Sequence, residues 1–115
     1  MTEIQSFQDL RHRLADTPYA LVYFSSPTCP VCGDDLLVVQ RLAERYDYPL
    51  FHIRIEHAPD VGGQMMVLTA PTVLIMHGTK EYHRQSRFID FLALEKRMTE
   101  LQKGIESLDM NDATF

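Results

Sequence analysis

The chain has 115 residues, of which 45% are hydrophobic and 23% charged, with a formal net charge of −5. That length supports one modest core and not two, and the acidic balance argues against nucleic acid or an anionic membrane as partner, since both reward positive charge. No apolar run approaches the roughly 20 residues of a membrane-spanning helix, and Met1 to Ser6 lacks the basic start and apolar stretch of a secretory signal, so the expected location is cytoplasmic.

Ser6 is placed to cap a first helix, with Phe7, Leu10 and Leu14 on one face at i, i+3 and i+7. Asp16-Thr17-Pro18 ends it. Tyr19 to Phe24 has no polar alternation, which predicts a strand buried on both faces, as in a parallel sheet. A helical pattern follows from Asp34 to Tyr46, with Leu36, Val39, Leu42 and Tyr46 on one face, and Pro49 closes it. Leu50 to Ile55 reads as a second strand, and a helix between two strands implies a right-handed crossover with both strands parallel.

Pro59 to Leu68 predicts a weaker helix, with Val61, Met65 and Leu68 sharing a face and Gly62 and Gly63 costing it stability. Thr72 to Met76 is another buried strand. The turn His77-Gly78-Thr79-Lys80 is short enough to force an antiparallel hairpin, with the last strand near Glu81 to Phe88. Asp90 is placed to cap a final helix carrying Leu94, Met98, Leu101 and Ile105 at i, i+4, i+7 and i+11. The predicted organisation is a single domain over residues 1–106 and a flexible tail over 107–115.

Chemistry concentrates in Pro27-Thr28-Cys29-Pro30-Val31-Cys32-Gly33, which holds the only two cysteines. A buried strand delivers them onto the start of a helix. Cα atoms one helical turn apart stand about 5–6 Å from each other, inside the span of a disulfide. The unpaired N–H groups and positive partial charge of the helix end favour a thiolate. Pro30 suits a helix start, because its missing N–H would have been an orphan there. Two alternatives stay open at this point: a buried inert pair, or half of a zinc site. Zinc would need further ligands, and His52, His57, His77 and His83 show no paired spacing from which a site follows.

From about Ser6 to Gln102 the chain resembles the thioredoxin family. The resemblance rests on Cys29-x-x-Cys32 after a buried strand, the Pro-closed second strand, Ile53 to Pro59, Ala70-Pro71-Thr72 opening the third strand, the Gly78 turn and the terminal helix. It implies an α/β thioredoxin-like fold, a central mixed β-sheet flanked by helices. It also implies a cis Pro71 beside the cysteines, with Ala70 offering backbone groups to a substrate peptide. The activity implied is thiol–disulfide oxidoreduction, with Cys29 as nucleophile and Cys32 as resolving thiol. No cofactor and no metal are implied. The partners implied are a disulfide-containing protein or small molecule, and a dithiol reductase as electron donor.

The chain departs from the family at five places. Thr28 stands where thioredoxins carry Trp, and the sequence has no Trp. Tyr23 aligns with the family's buried acid and His52 with a nearby Lys, which makes His52 the candidate proton shuttle. Bulkier residues from Gln85 to Arg87 replace the glycine that opens the peptide groove. Pro30 and Val31 make the motif's interior more like that of glutaredoxins and stronger oxidants, yet the stretch after Pro71 lacks a glutathione clamp. These departures define a second functional class, a redox-inactive thioredoxin-fold binding or adaptor domain.

Overall fold

The structure, a computed structural model, describes the backbone of residues 1–113 and side chains through residue 107. Nine elements follow one another: β1 (Thr2–Ile4), α1 (Phe7–Ala15), β2 (Ala20–Ser25), α2 (Cys32–Arg45), β3 (Leu50–Arg54), α3 (Pro59–Gln64), β4 (Thr72–His77), β5 (Lys80–Ser86) and α4 (Phe91–Ala113). The strands form one mixed sheet in the order β1-β3-β2-β4-β5. β3 runs parallel to both β1 and β2, while β4 is antiparallel to β2 and β5. The expected helix-flanked mixed sheet is therefore present, and β2 lies at its centre.

Side chains alternate across the sheet, so each central strand feeds two cores. One face carries Val22, Phe24, Ile53 and Leu74 with Leu10 and Leu14 of α1 and Val61 of α3. The other carries Leu21, Tyr23, Leu50 and Ile75 with Val39 and Leu42 of α2 and Leu94 and Met98 of α4. Cover on both faces explains why β2 and β4 read as unbroken apolar runs.

Local signals act as their chemistry dictates. The Ser6 hydroxyl accepts the Asp9 N–H at 3.2 Å, and an Asp90 carboxylate oxygen accepts the Ala93 N–H at 3.0 Å, each supplying an orphan donor of a helix's first turn. Gly78 turns the hairpin at φ 58°, a left-handed conformation that suits a residue without Cβ.

Three expectations are corrected. β1 was not anticipated: three residues are too few to show a period, and only pairing with β3 makes them a strand. α2 starts at Cys32 instead of Asp34. α3 ends at Gln64 and not at Leu68, which is 96% exposed and does not share the buried face of Val61. The cause is a left-handed stop. Met66 takes φ 56°, its N–H bonds the Gly63 carbonyl, and the Val67 N–H reaches back to Gly62, which is a Schellman closure. Arg84 of β5 then donates to the Met65 and Met66 carbonyls and pins this end to the sheet. The same closure ends α2, with Asp47 at φ 56° and bonds from Asp47 to Glu44 and from Tyr48 to Ala43.

The backbone of α4 continues helical to Ala113, past Ile105. The tail expected over 107–115 falls almost wholly on positions whose side chains or backbone lie outside the described residues.

Candidate functional site

Cys29 lies in the loop after β2, and Cys32 opens α2. The Cys29 N–H donates to the Ser26 carbonyl at 3.3 Å, and the Cys32 N–H to the Cys29 carbonyl at 3.5 Å, so the loop coils before the helix begins. Cys29 and Cys32 are joined as a disulfide with Cα atoms 5.5 Å apart. Cys32, the first residue of α2, is buried, whereas Cys29 is half-buried and Pro30 and Val31 are exposed. The two sulfurs thus differ in access: one can be approached from solvent, and the other is shielded.

Tyr23 fixes the start of α2. Its hydroxyl donates to the Cys32 carbonyl at 2.7 Å, and its ring is fully buried beneath that turn. A buried phenol finds a partner for its O–H, and here the partner is the backbone of the resolving position. Burial, reinforced by the charge of Asp35, raises the Tyr23 pKa far above the usual phenol range, so it stays a neutral donor. Asp35 in turn has its carboxyl pKa raised by burial and by Asp34.

His52 sits beside Tyr23 across the β2–β3 ladder, with ring centroids 5.8 Å apart. It is only 3% exposed, and its Nε2 lies 2.8 Å from the Ser25 hydroxyl oxygen. His52 shares a recess of about 220 Å³ with both cysteines, Ser25 and Arg54. Burial, and next the Arg54 charge, push its pKa below the ordinary 6.5, with Glu3 and Glu56 opposing. His52 is therefore neutral at pH 7.

That shift has a consequence for stability. The unfolded chain takes up the His52 proton near pH 6.5, and the folded chain only at lower pH, so acidification through that interval favours unfolding. Stability present above pH 6.5 is lost as pH falls toward the folded value. Urea midpoints measured at about pH 7.5 and pH 5 should show His52→Gln losing less than the wild type. His83 is shifted in the same direction, so the difference between the two proteins, not the wild-type slope alone, reports His52. Equal losses would contradict the assignment.

A second recess of about 380 Å³ also reaches Cys29, lined by Thr28, Cys29, Pro30, Ile55, Leu68 and Ala70 among others. The Ala70–Pro71 bond that borders it is cis. Thr72 holds this corner: its hydroxyl donates to the Thr69 carbonyl at 2.7 Å and lies 3.1 Å from that of Ser86. The Arg87 N–H donates to the Pro71 carbonyl at 2.8 Å. Cys29, Pro30 and Ala70 are therefore gathered around one recess, with Pro71 following Ala70 in the chain, while Cys32 and His52 line the other recess together with Cys29.

His57, His77 and His83 line neither recess. No group of three or more His, Cys, Asp or Glu side chains able to hold a metal occurs among the described residues. Ser25 and Leu68 are the site residues that sequence reasoning missed. Ser25 was detectable in principle, since it lies two residues after Tyr23 on the same strand face. Leu68 carried no signal, because its exposure depends on where α3 stops.

The family model described as "TraF: F plasmid transfer operon protein" matches residues 5–83, more than half of the chain. The chain belongs to that family. It is also 25% identical over 107 residues to a "Thioredoxin-like protein YdfQ" of Bacillus subtilis, covering 92% of this chain and 96% of that one. Among solved structures, a mutant thioredoxin from Halobacterium salinarum superposes with a TM-score of 0.80 at 20% identity, covering 87% of this chain and 88% of that one. Fasciola hepatica thioredoxin gives 0.79 at 18% identity, over 87% and 98% of the respective chains. The fold of this TraF-family chain is accordingly the thioredoxin fold, and it carries a Cys-x-x-Cys pair at disulfide distance.

Proposed function

We propose that the protein is a thiol–disulfide oxidoreductase acting through Cys29 and Cys32. The observation that carries this reading is the asymmetry of the pair. Cys29 is reachable from a recess bordered by Ala70, and Cys32 is buried one turn behind it. In the reducing direction the Cys29 thiolate attacks a substrate disulfide, and one substrate sulfur leaves as a thiol. The Cys32 thiolate then attacks Cys29, closes the pair and releases the other sulfur. Two electrons pass from the dithiol to the substrate. Cys-x-x-Cys nucleophiles titrate at roughly 3.5–7.5 instead of near 8.5, which supplies thiolate at neutral pH.

Ala70 and Pro71 are the substrate-contacting backbone in this reading, and Pro30 and Val31 set the exposed surface beside the nucleophile. The substrate is a disulfide-containing protein or small molecule. A dithiol reductase returns the electrons, and a reducing compartment such as the cytoplasm sets the direction. A redox-inactive binding domain is the second reading. It is favoured by one observation: among the described residues, no carboxylate lines the recess that Cys29, Cys32 and His52 share. Reduction of insulin by dithiothreitol separates the two. The oxidoreductase accelerates insulin precipitation at catalytic amounts, whereas a rate equal to that of dithiothreitol alone favours the binding domain.

A further inference from the structure

We propose that Arg84 is a positioning residue for substrate binding: it holds Leu68 at the Cys29 recess, where Leu68 packs on an apolar side chain flanking a protein's disulfide. The inference rests on the dithiol reading above. It narrows the substrate class from any disulfide to a protein disulfide with an apolar neighbour.

The segment between α3 and β4 draws little support from the helix before it. α3 has six residues, two of them glycine, with no side-chain bond at its N-cap and no basic residue in its last turn. The carbonyls of Met65 and Met66, just past its end, need donors from elsewhere. Arg84 of β5 supplies them. Its Nη1 donates to the Met66 carbonyl at 2.8 Å, and its Nη2 to the Met65 carbonyl at 2.6 Å. The Glu81 carboxylate accepts from the same guanidinium at 2.8 Å and fixes its orientation. One planar fork thus serves three acceptors, which an ammonium on a flexible stem does not reproduce.

The rest of the segment is anchored as well. Val67 is buried with its N–H on the Gly62 carbonyl, and the Thr69 carbonyl accepts the Thr72 hydroxyl at 2.7 Å. Leu68 lies between these anchors, is 96% exposed, and lines the same recess as Cys29, Pro30, Ile55 and Ala70. Its apolar surface is left in water beside the accessible sulfur and is covered when a substrate's apolar side chain enters. Because the segment is held beforehand, little conformational entropy is lost at binding. Oxidised glutathione, whose cysteine is flanked by glutamyl and glycyl groups, brings no such side chain.

The test offers three disulfides to the full chain, with dithiothreitol as reductant and its direct reaction subtracted. Two are model peptides that differ only in Leu or Ser beside the reactive cysteine, and the third is oxidised glutathione. The wild type is expected to favour the Leu peptide about 10-fold in kcat/KM, the low end of what an apolar contact gives. Leu68→Gln and Arg84→Met should each bring that ratio close to one, with the loss carried by KM. Arg84→Lys should recover only part of it, since the charge returns without the fork.

Equal wild-type rates on the two peptides overturn the proposal, as does either variant keeping the wild-type preference. A variant that slows on both peptides and on glutathione by one common factor shows a general structural role and also overturns it. If Arg84→Met fails to fold, Arg84→Lys and Leu68→Gln decide, the latter at an exposed position outside the core. A wild type inert toward all three disulfides defeats the dithiol reading itself. One that reduces glutathione yet ignores the flanking residue defeats this inference alone.

Discussion

Cys29→Ser is expected to abolish disulfide exchange, whereas Cys32→Ser is expected to retain the first attack and hold substrates as mixed disulfides. The reason is geometric. The half-buried Cys29 is the sulfur a substrate can approach, and the buried Cys32 can reach only Cys29. Removing the first sulfur removes the nucleophile. Removing the second removes the only internal route for resolving the mixed disulfide, so the adduct persists until an external thiol attacks it. Non-reducing electrophoresis and mass spectrometry after incubation with a disulfide-bonded protein check both halves. Equal trapping by the two variants, or trapping by Cys29→Ser alone, would contradict these roles.

The second large effect lies in the core. Phe24→Ala should destabilise the fold by about 3–5 kcal/mol, from lost burial and the cavity left behind. That is a large share of the roughly 5–15 kcal/mol that holds a domain of this kind together. Phe24 is fully buried on the central strand, packed between sheet and helices, and directly precedes Ser25 at the site. Its loss is therefore expected to lower the urea midpoint and to loosen the strand end that holds Ser25 against His52. A midpoint change corresponding to less than about 1 kcal/mol would show that Phe24 does not bear on the core as its burial indicates.

What could be read in advance was local. The Ser6 and Asp90 caps, the apolar stripes of α1 and α4, the run of β2 and the Gly78 turn each depend on residues near one another in the chain. The structure has them where the side-chain chemistry puts them. What escaped depends on distant partners or on backbone closure. β1 exists because β3 lies beside it. The end of α3 depends on Met66 entering a left-handed conformation that its side chain does not advertise.

The site divides in the same way. Cys29 and Cys32 stand three positions apart in sequence, a spacing that permitted a disulfide but left an inert pair and half of a zinc site open. His52 entered through the family resemblance, but its contact with Ser25 follows from the parallel register that sets Tyr23 opposite His52. Leu50 to Ile55 alternates apolar and polar residues, yet both faces of β3 are covered, and His52 turns inward under α2. A polar residue in an alternating strand reads as solvent-facing until the second layer is known.

The most direct test of the account is the redox equilibrium of Cys29 and Cys32, followed by alkylation and mass spectrometry across glutathione buffers. The account predicts one reversible two-electron transition, with a midpoint in the range of about −120 to −270 mV spanned by dithiol oxidoreductases. A pair that stays reduced across the whole range, or is protected from alkylation only when zinc is added, would contradict it.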